Sequence, residues 1–146
     1  MRKIIALTLA VFLLSGCNAA VSDDDNVFVI DEQFFVLRML DIVFSHNEFL
    51  GQTIRYEGMF RTVDVPTIGD VYQVYRYTDG CCGPDGIIGL QVRLDSADIE
   101  PLPTGTWVEV TGILEEFEHQ GRTFLRLEVT SLIEMDDRGE EFVTVR

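Results

Sequence analysis

Residues 54–60, IRYEGMF, and residues 108–114, VEVTGIL, decide the fold of this chain. In both stretches apolar and polar side chains alternate, which is typical of a β-strand with one buried face. Both stretches also carry a glycine in the fifth position, Gly58 and Gly112. Because a glycine inside a strand usually marks a bulge or a sharp bend, we predict that the two strands curve strongly.

Three further alternating stretches complete the predicted sheet, at residues 71–78, 87–94 and 122–133. Turn-forming residues separate the five strands. Five short strands, two of them bent, can close into a small barrel of the OB type. The chain is therefore predicted to be mainly β, a five-stranded OB-like barrel, with an open β-sandwich as the alternative.

One helix is predicted ahead of the strands, over residues 32–45, with Asp31 as its N-cap. Its polar residues fall on one narrow stripe, and apolar side chains cover most of the remaining circumference, so the helix is expected to be largely buried. In most OB-folds the helix lies between the third and fourth strands. Here the segment 96–104 is too short and too rich in proline, so we expect the N-terminal helix to pack on the end of the barrel instead.

The N-terminus has the features of a lipoprotein signal. Arg2 and Lys3 precede an apolar run at 4–14, which is too short to span a bilayer as a helix of roughly 20 residues. The sequence LSGC then places Cys17 directly after small residues. We expect residues 1–16 to be removed and Cys17 to carry lipid; the alternative is an ordinary secretory signal that happens to contain a cysteine.

This signal predicts the organisation of the rest of the chain. Residues 17–27 form the lipidated cysteine and a short acidic tether, and residues 28–135 form the OB-like domain. Residues 136–146 form a charged C-terminal tail, in which Phe142 and Val143 can add a short edge strand. The protein is expected on the extracytoplasmic face of the cell membrane, or on the outer membrane if the host has two membranes.

The charge of the chain limits its partners. After removal of residues 1–16, nine arginines stand against 25 acidic residues, which gives a net charge near −16. A nucleic-acid surface needs a basic stripe to offset phosphate charge, so no nucleic-acid partner is expected. Cations and basic protein patches are the partners that electrostatics favours.

Two adjacent cysteines, Cys81 and Cys82, lie in the predicted turn DGCCGPDG. Since lipid occupies Cys17 and the chain has three cysteines, neither can pair with a distant cysteine. Three interpretations stay open: a pair of thiolate ligands for a metal ion such as Zn²⁺, a strained vicinal disulfide that acts as a redox switch, and an inert turn. In the first of these, Asp79 or Asp85 supplies an oxygen ligand and a histidine is a fourth ligand.

Few other side chains are candidates for metal binding or catalysis. His119 leads into a hairpin turn, and it is a candidate metal ligand if that turn approaches the cysteines; His46 is expected to end the helix. Glu115, Glu116 and Glu118 are expected to be solvated near the same hairpin turn, without the burial that catalysis would require. The sequence has no Ser-His-Asp arrangement, phosphate loop or Cys-x-x-Cys motif, so the chain is predicted not to be an enzyme.

The surroundings of the cysteine pair resemble the YcgQ-like family, whose soluble C-terminal domain carries a Cys-Cys signature. The family pattern has an Arg-aromatic pair, three residues, Cys-Cys, two residues and Asp. Arg76-Tyr77, Cys81-Cys82 and Asp85 match this pattern in register.

The resemblance extends over about residues 34–133. The stretch 106–112, TWVEVTG, is similar to the family's Trp-Val-x-Val-x-Gly strand, and we expect Trp107 to lie in the core. The stretch 47–60 resembles the family's Asn-x-x-x-Gly-Lys entry into a strand ending in Gly-aromatic, with Gln52 in place of Lys.

Members of this family are typically encoded beside a predicted permease of the YraQ type, and their N-terminal part spans the membrane. Here a lipid anchor replaces that part, and Gly83-Pro84 and Gly86 replace small alanines. The resemblance implies an OB-like domain that works beside a membrane protein. The expected function is a membrane-anchored accessory domain that binds a metal ion or a membrane-protein partner, such as a permease, through the Cys81-Cys82 loop.

Overall fold

Long, paired strands make up most of the described structure. A computed structural model describes residues 26–80, 83–95 and 98–145. Within these residues the elements are β1 (Val27–Val29), a 3-10 turn (Glu32–Phe34), α1 (Phe35–Phe44), α2 (His46–Phe49), β2 (Thr53–Val65), β3 (Gly69–Gly80), β4 (Gly83–Arg93), β5 (Trp107–His119), β6 (Arg122–Glu134) and β7 (Phe142–Val143).

Five of these strands close into a barrel. β2 pairs antiparallel with β3, β3 with β4, β6 with β5, and β5 again with β2. The ring is completed by a short parallel pairing of β4 with β6, in which Gln91 faces Arg126. In the OB arrangement three consecutive strands form a meander, and two further strands close it into a barrel. The strand order here is the same, so the predicted OB-like barrel is confirmed.

The two strand glycines lie where the barrel bends. At Gly112 the β5–β6 register shifts by one residue, which is a β-bulge, and a Cβ there would lie 2.6 Å from the carbonyl oxygen of Glu128. At Gly58 a Cβ would lie 2.8 Å from the carbonyl oxygen of Tyr75. β2 pairs with β5 up to the next residue, Met59, and with β3 from Met59 onward. The prediction that Gly58 and Gly112 mark bends is confirmed.

The helical segment differs from its prediction. It begins as a 3-10 turn, the side chain of Asp31 makes no capping bond, and α1 ends at Phe44 before the separate short α2. Only one face of α1 is buried, and its buried residues are Phe35, Val36, Met39 and Ile42. The expectation of burial on most sides was wrong, because the end of a barrel covers one face of a helix and leaves the other to solvent.

The core fills the barrel and the space beneath α1. β2 and β5 each contribute three inward-facing residues with relative exposures at or near zero: Ile54, Tyr56, Phe60, Val108, Val110 and Leu114. One polar atom in this core is the hydroxyl of Tyr56, which donates to Val74 O at 2.9 Å and accepts from Leu90 N–H at 3.1 Å. The hydroxyl therefore bridges β3 and β4 from inside the barrel.

The C-terminal segment is packed against the barrel. β7 pairs in parallel with β3 through Tyr77 and Phe142, and Val143 is buried. Val143 joins the core and Glu140 N–H donates to the carboxylate of Glu32, so the segment that follows Asp136 belongs to the folded part up to Val143. Among the described residues, no helix has the length and apolar character needed to cross a membrane.

We expect Gly112→Ala to lower the free energy of unfolding. The added methyl group meets backbone and cannot be accommodated by a rotamer change, and overpacking typically costs roughly 1–3 kcal/mol. Urea denaturation followed by the fluorescence of Trp107 measures the loss. Glu118→Ala, on an exposed position of the same strand, is the control and should change stability by less than about 0.5 kcal/mol. Equal stabilities for the two variants would contradict the close approach at Gly112.

Removing the Tyr56 hydroxyl should also destabilise the protein. Tyr56→Phe leaves Leu90 N–H and Val74 C=O without this buried partner, which costs roughly 1–3 kcal/mol. Burial also raises the pKa of the Tyr56 phenol above its ordinary value near 10. The folded state holds this proton more tightly than the unfolded state, so the stability it contributes is complete below about pH 10 and falls as the pH rises above that value. Denaturation at about pH 9 and about pH 11 should show a smaller alkaline loss for Tyr56→Phe than for the wild type.

Candidate functional site

The β3–β4 hairpin carries the predicted cysteine site. Its strands remain paired up to Gly80 and Gly83, on either side of the cysteine pair. Cys81 and Cys82 themselves lie outside the described residues, as does Cys17. Asp79 is an exposed residue of β3; Asp85 lies on β4, and its side chain is outside the described set. The strand register places Asp79 opposite residues 84–85, so both carboxylate residues belong to the same end of the hairpin.

His119 lies elsewhere on the barrel. It ends β5 and lines a cavity of about 340 Å³ together with Thr67 of the β2–β3 turn, Gln73 and Phe124. Its Nε2 is shielded from solvent and has no hydrogen-bond partner among the described residues. The imidazole therefore forms part of the wall of a groove between the β2–β3 turn and the β5–β6 turn. It does not project from the tip of the β5–β6 hairpin.

The structure does not bring Asp79 and His119 together. Gln73, which shares a cavity with His119, precedes Asp79 on the extended strand β3 by six residues, or about 20 Å at the rise of a β-strand. Within the described ranges, which omit both hairpin cysteines, no three His, Asp or Glu side chains are grouped as a metal site would require. The hairpin itself can add Asp79 and Asp85 to the cysteines, and the C-terminal segment runs beside β3 as far as Thr78.

Arg76, three residues before Asp79, is buried to 2% exposure. Its guanidinium carbon lies 4.5 Å from the ring centre of Phe35 and 4.9 Å from that of Trp107, so the group is stacked between two aromatic rings. It donates from Nε to Glu57 O at 2.9 Å and from Nη1 to Glu140 O at 3.2 Å. One side chain of β3 thus contacts α1, β2, β5 and the C-terminal segment.

The charge of Arg76 is compensated by nearby carboxylates. Burial lowers the pKa of Arg76, and the carboxylates of Glu32, Glu57 and Glu140 oppose that shift. Glu57 is held in turn by Trp107, whose Nε1 donates to Glu57 Oε2 at 3.1 Å. Trp107 is buried, as predicted, but no pattern along the chain indicated that Arg76 would lie beside it.

β3 is supported from Arg76 onward toward the cysteines. Tyr77 N–H donates to Glu141 O at 2.8 Å, and the Tyr77 ring stacks on Phe142 with centroids 5.1 Å apart. The Tyr77 hydroxyl lies 3.4 Å from that of Tyr75, whose pKa is raised to about 12, chiefly by burial. The strand that leads into the cysteine turn is therefore fixed by β4 on one side and by the C-terminal segment on the other.

A second polar region surrounds Gln91 on the opposite part of β4. Gln91 lines three neighbouring cavities of about 240, 390 and 340 Å³, between the β2–β3 turn, the β5–β6 turn and α2. Several of the charged groups here are already paired: Glu115 binds Arg126 at 2.6 Å, and His46 Nε2 lies 3.0 Å from Glu116. Sequence analysis missed this region because its lining comes from segments that are distant along the chain.

Arg76→Lys should destabilise the protein, although it preserves the charge. Lysine cannot stack as a plane between two rings or reach two carbonyl groups at fixed angles, and a hydrogen bond from a charged donor is worth roughly 1.5–3 kcal/mol. Arg38→Lys, at a half-exposed ion pair with Asp41, is the matched control and should cost less than about 1 kcal/mol. Thermal denaturation compares the two variants, and equal midpoints would show that the stacked geometry of Arg76 does not matter.

Comparisons with known proteins identify the anchor and the family of this chain. A prokaryotic membrane lipoprotein lipid attachment site matches residues 1–18, which confirms the predicted lipid attachment at the N-terminus. No curated protein matches the chain. Among solved structures, the small single-stranded DNA-binding protein from Streptomyces coelicolor is similar at 16% identity and a TM-score of 0.36, over 61% of this chain and 98% of that one. The DUF1980 C-terminal domain matches residues 17–143, and the chain is a membrane-anchored lipoprotein that belongs to this family.

Proposed function

We propose that this lipoprotein is a non-enzymatic accessory domain that binds a thiophilic metal ion at the tip of its β3–β4 hairpin. Cys81 and Cys82 supply two thiolates, and Asp79 or Asp85 supplies a carboxylate oxygen. The observation that carries the proposal is the paired backbone on both sides of the cysteine pair, where Gly80 pairs with Gly83 after a shift in register beyond Thr78. A site whose supporting strands are rigid loses little conformational freedom when a ligand binds.

The donor set is compatible with Zn²⁺. Thiolate sulfur and carboxylate oxygen are both ordinary zinc ligands, and zinc takes four of them in structural sites. The hairpin provides three, and His119 lies too far along the barrel to be the fourth. We infer that solvent or a partner protein supplies the last ligand, which is the arrangement of a site that exchanges its metal or joins two proteins. The net charge of the mature chain, near −16, also favours a cation.

A membrane protein is the partner that we propose for this site. The lipid anchor confines the domain to a membrane surface, where other membrane proteins are its closest neighbours. The resemblance to the YcgQ-like family, whose members are typically encoded beside a YraQ-type permease, supports a transporter as that partner. The family match to the DUF1980 C-terminal domain is consistent with this resemblance.

Metal analysis of the purified lipoprotein tests the proposal. We expect about one zinc per chain, and we expect Cys81→Ser to lower the zinc affinity by at least about tenfold, because each ligand is needed for the site. The matched control is His119→Gln, which should retain full zinc content. Since ligand thiols must lose a proton, zinc content should also fall as the pH is lowered below neutrality.

A thiol count on protein purified in air distinguishes the alternatives. Lipidated Cys17 has no free thiol, so every thiol detected belongs to Cys81 or Cys82. A vicinal disulfide, and with it the redox-switch alternative, would be identified by protein that has no free thiol, holds no metal and releases two thiols on reduction. A metal-free, folded chain with two free thiols, unable to take up added zinc, would contradict both proposals and leave the inert turn.

A further inference from the structure

The outer face of α1 exposes apolar side chains. Leu37 is 39% exposed and Phe44 is 79% exposed, and the half-buried Leu40 lies between them. Residues spaced three and four apart lie on one side of a helix, so these three side chains form a continuous ridge. Phe34, in the preceding 3-10 turn, is 44% exposed as well. This ridge of Leu37, Leu40 and Phe44, which we call the α1 ridge, leaves an apolar surface uncovered by the described part of the domain.

The lipid anchor joins the domain next to this helix. Nine residues separate Cys17 from Val27, where β1 begins, so the tether spans at most about 36 Å. On β1, the ring of Phe28 lies 5.6 Å from the guanidinium carbon of Arg38 on α1. The same ring packs edge-on against Phe49 of α2 at 5.2 Å. The anchored end of the chain therefore enters the fold beside the two helices.

The charge of α1 also differs from that of the rest of the molecule. Its charged side chains are Arg38 and Asp41, which form an ion pair at 3.5 Å and cancel. The remainder of the mature chain is strongly acidic and is repelled by anionic headgroups. A nearly neutral helix with exposed phenylalanine and leucine can approach a bilayer at a low electrostatic cost.

We propose that the α1 ridge rests on the bilayer to which Cys17 is attached, with Leu37 and Phe44 entering the interfacial region. Because the anchor already holds the domain within the length of its tether, a few apolar side chains suffice for this contact. The ridge orients the domain relative to the membrane, and this orientation is independent of any metal at the β3–β4 hairpin.

Fluorescence of a tryptophan placed on the ridge tests this contact. Phe44→Trp is made in the lipidated full chain, in phosphatidylcholine vesicles, and again in an acyl-free form that carries Cys17→Ser. The native Trp107 is buried and contributes the same background to both. In vesicles we expect the emission of the introduced tryptophan to shift to shorter wavelength, its quenching by acrylamide to fall severalfold, and brominated acyl chains to quench it.

The matched control is Ile68→Trp, at a 48% exposed apolar position in the β2–β3 turn. Its emission should be the same in vesicles and in the acyl-free chain. Equal acrylamide quenching of the ridge tryptophan in the two forms would overturn the proposal. Protection of the acyl-free chain that grows with protein concentration would also overturn it, because it indicates that a second copy covers the ridge. Protection that is seen only in native membranes would overturn it as well, because it indicates that a membrane protein covers the ridge. Circular dichroism confirms that each variant is folded.

Discussion

The stacked guanidinium of Arg76 is the contact on which the arrangement of this molecule depends. It lies between the rings of Phe35 and Trp107, and its two hydrogen bonds reach Glu57 of β2 and Glu140 of the C-terminal segment. A buried cation is costly unless nearby groups compensate it. Here two aromatic faces, two carbonyl oxygens and three carboxylates provide that compensation. The same charge would be strongly destabilising if the helix or the C-terminal segment were displaced.

This contact couples the two regions to which we assign function. Phe35 begins α1, whose outer side forms the α1 ridge, and Asp79 of the cysteine hairpin follows Arg76 by three residues. A helix oriented by the membrane would therefore set the orientation of the hairpin relative to that membrane. From β1 onward, the helix and the hairpin are linked through packed secondary structure.

Sequence patterns predicted the strands well because the alternation of buried and exposed side chains is a local property repeated along the chain. Alternation in 54–60 and 108–114 reports which face of each strand is buried, and Gly58 and Gly112 mark bends through the absence of a side chain. The helix was less predictable. Its composition shows that many side chains are apolar, but it does not show that one barrel end covers only Phe35, Val36, Met39 and Ile42 and leaves Phe44 exposed.

By itself the sequence determined the lipid anchor, the acidic charge and the five strands, because each of these follows from composition or from neighbours along the chain. The tertiary structure alone decided that His119 lies beside Gln73, which is about 20 Å along β3 from Asp79. It also decided that Arg76 is buried between helix and strand, and that the tether meets the fold beside α1. The physical reason is that strand order and register, which are set by the packing of the whole barrel, determine which distant residues meet.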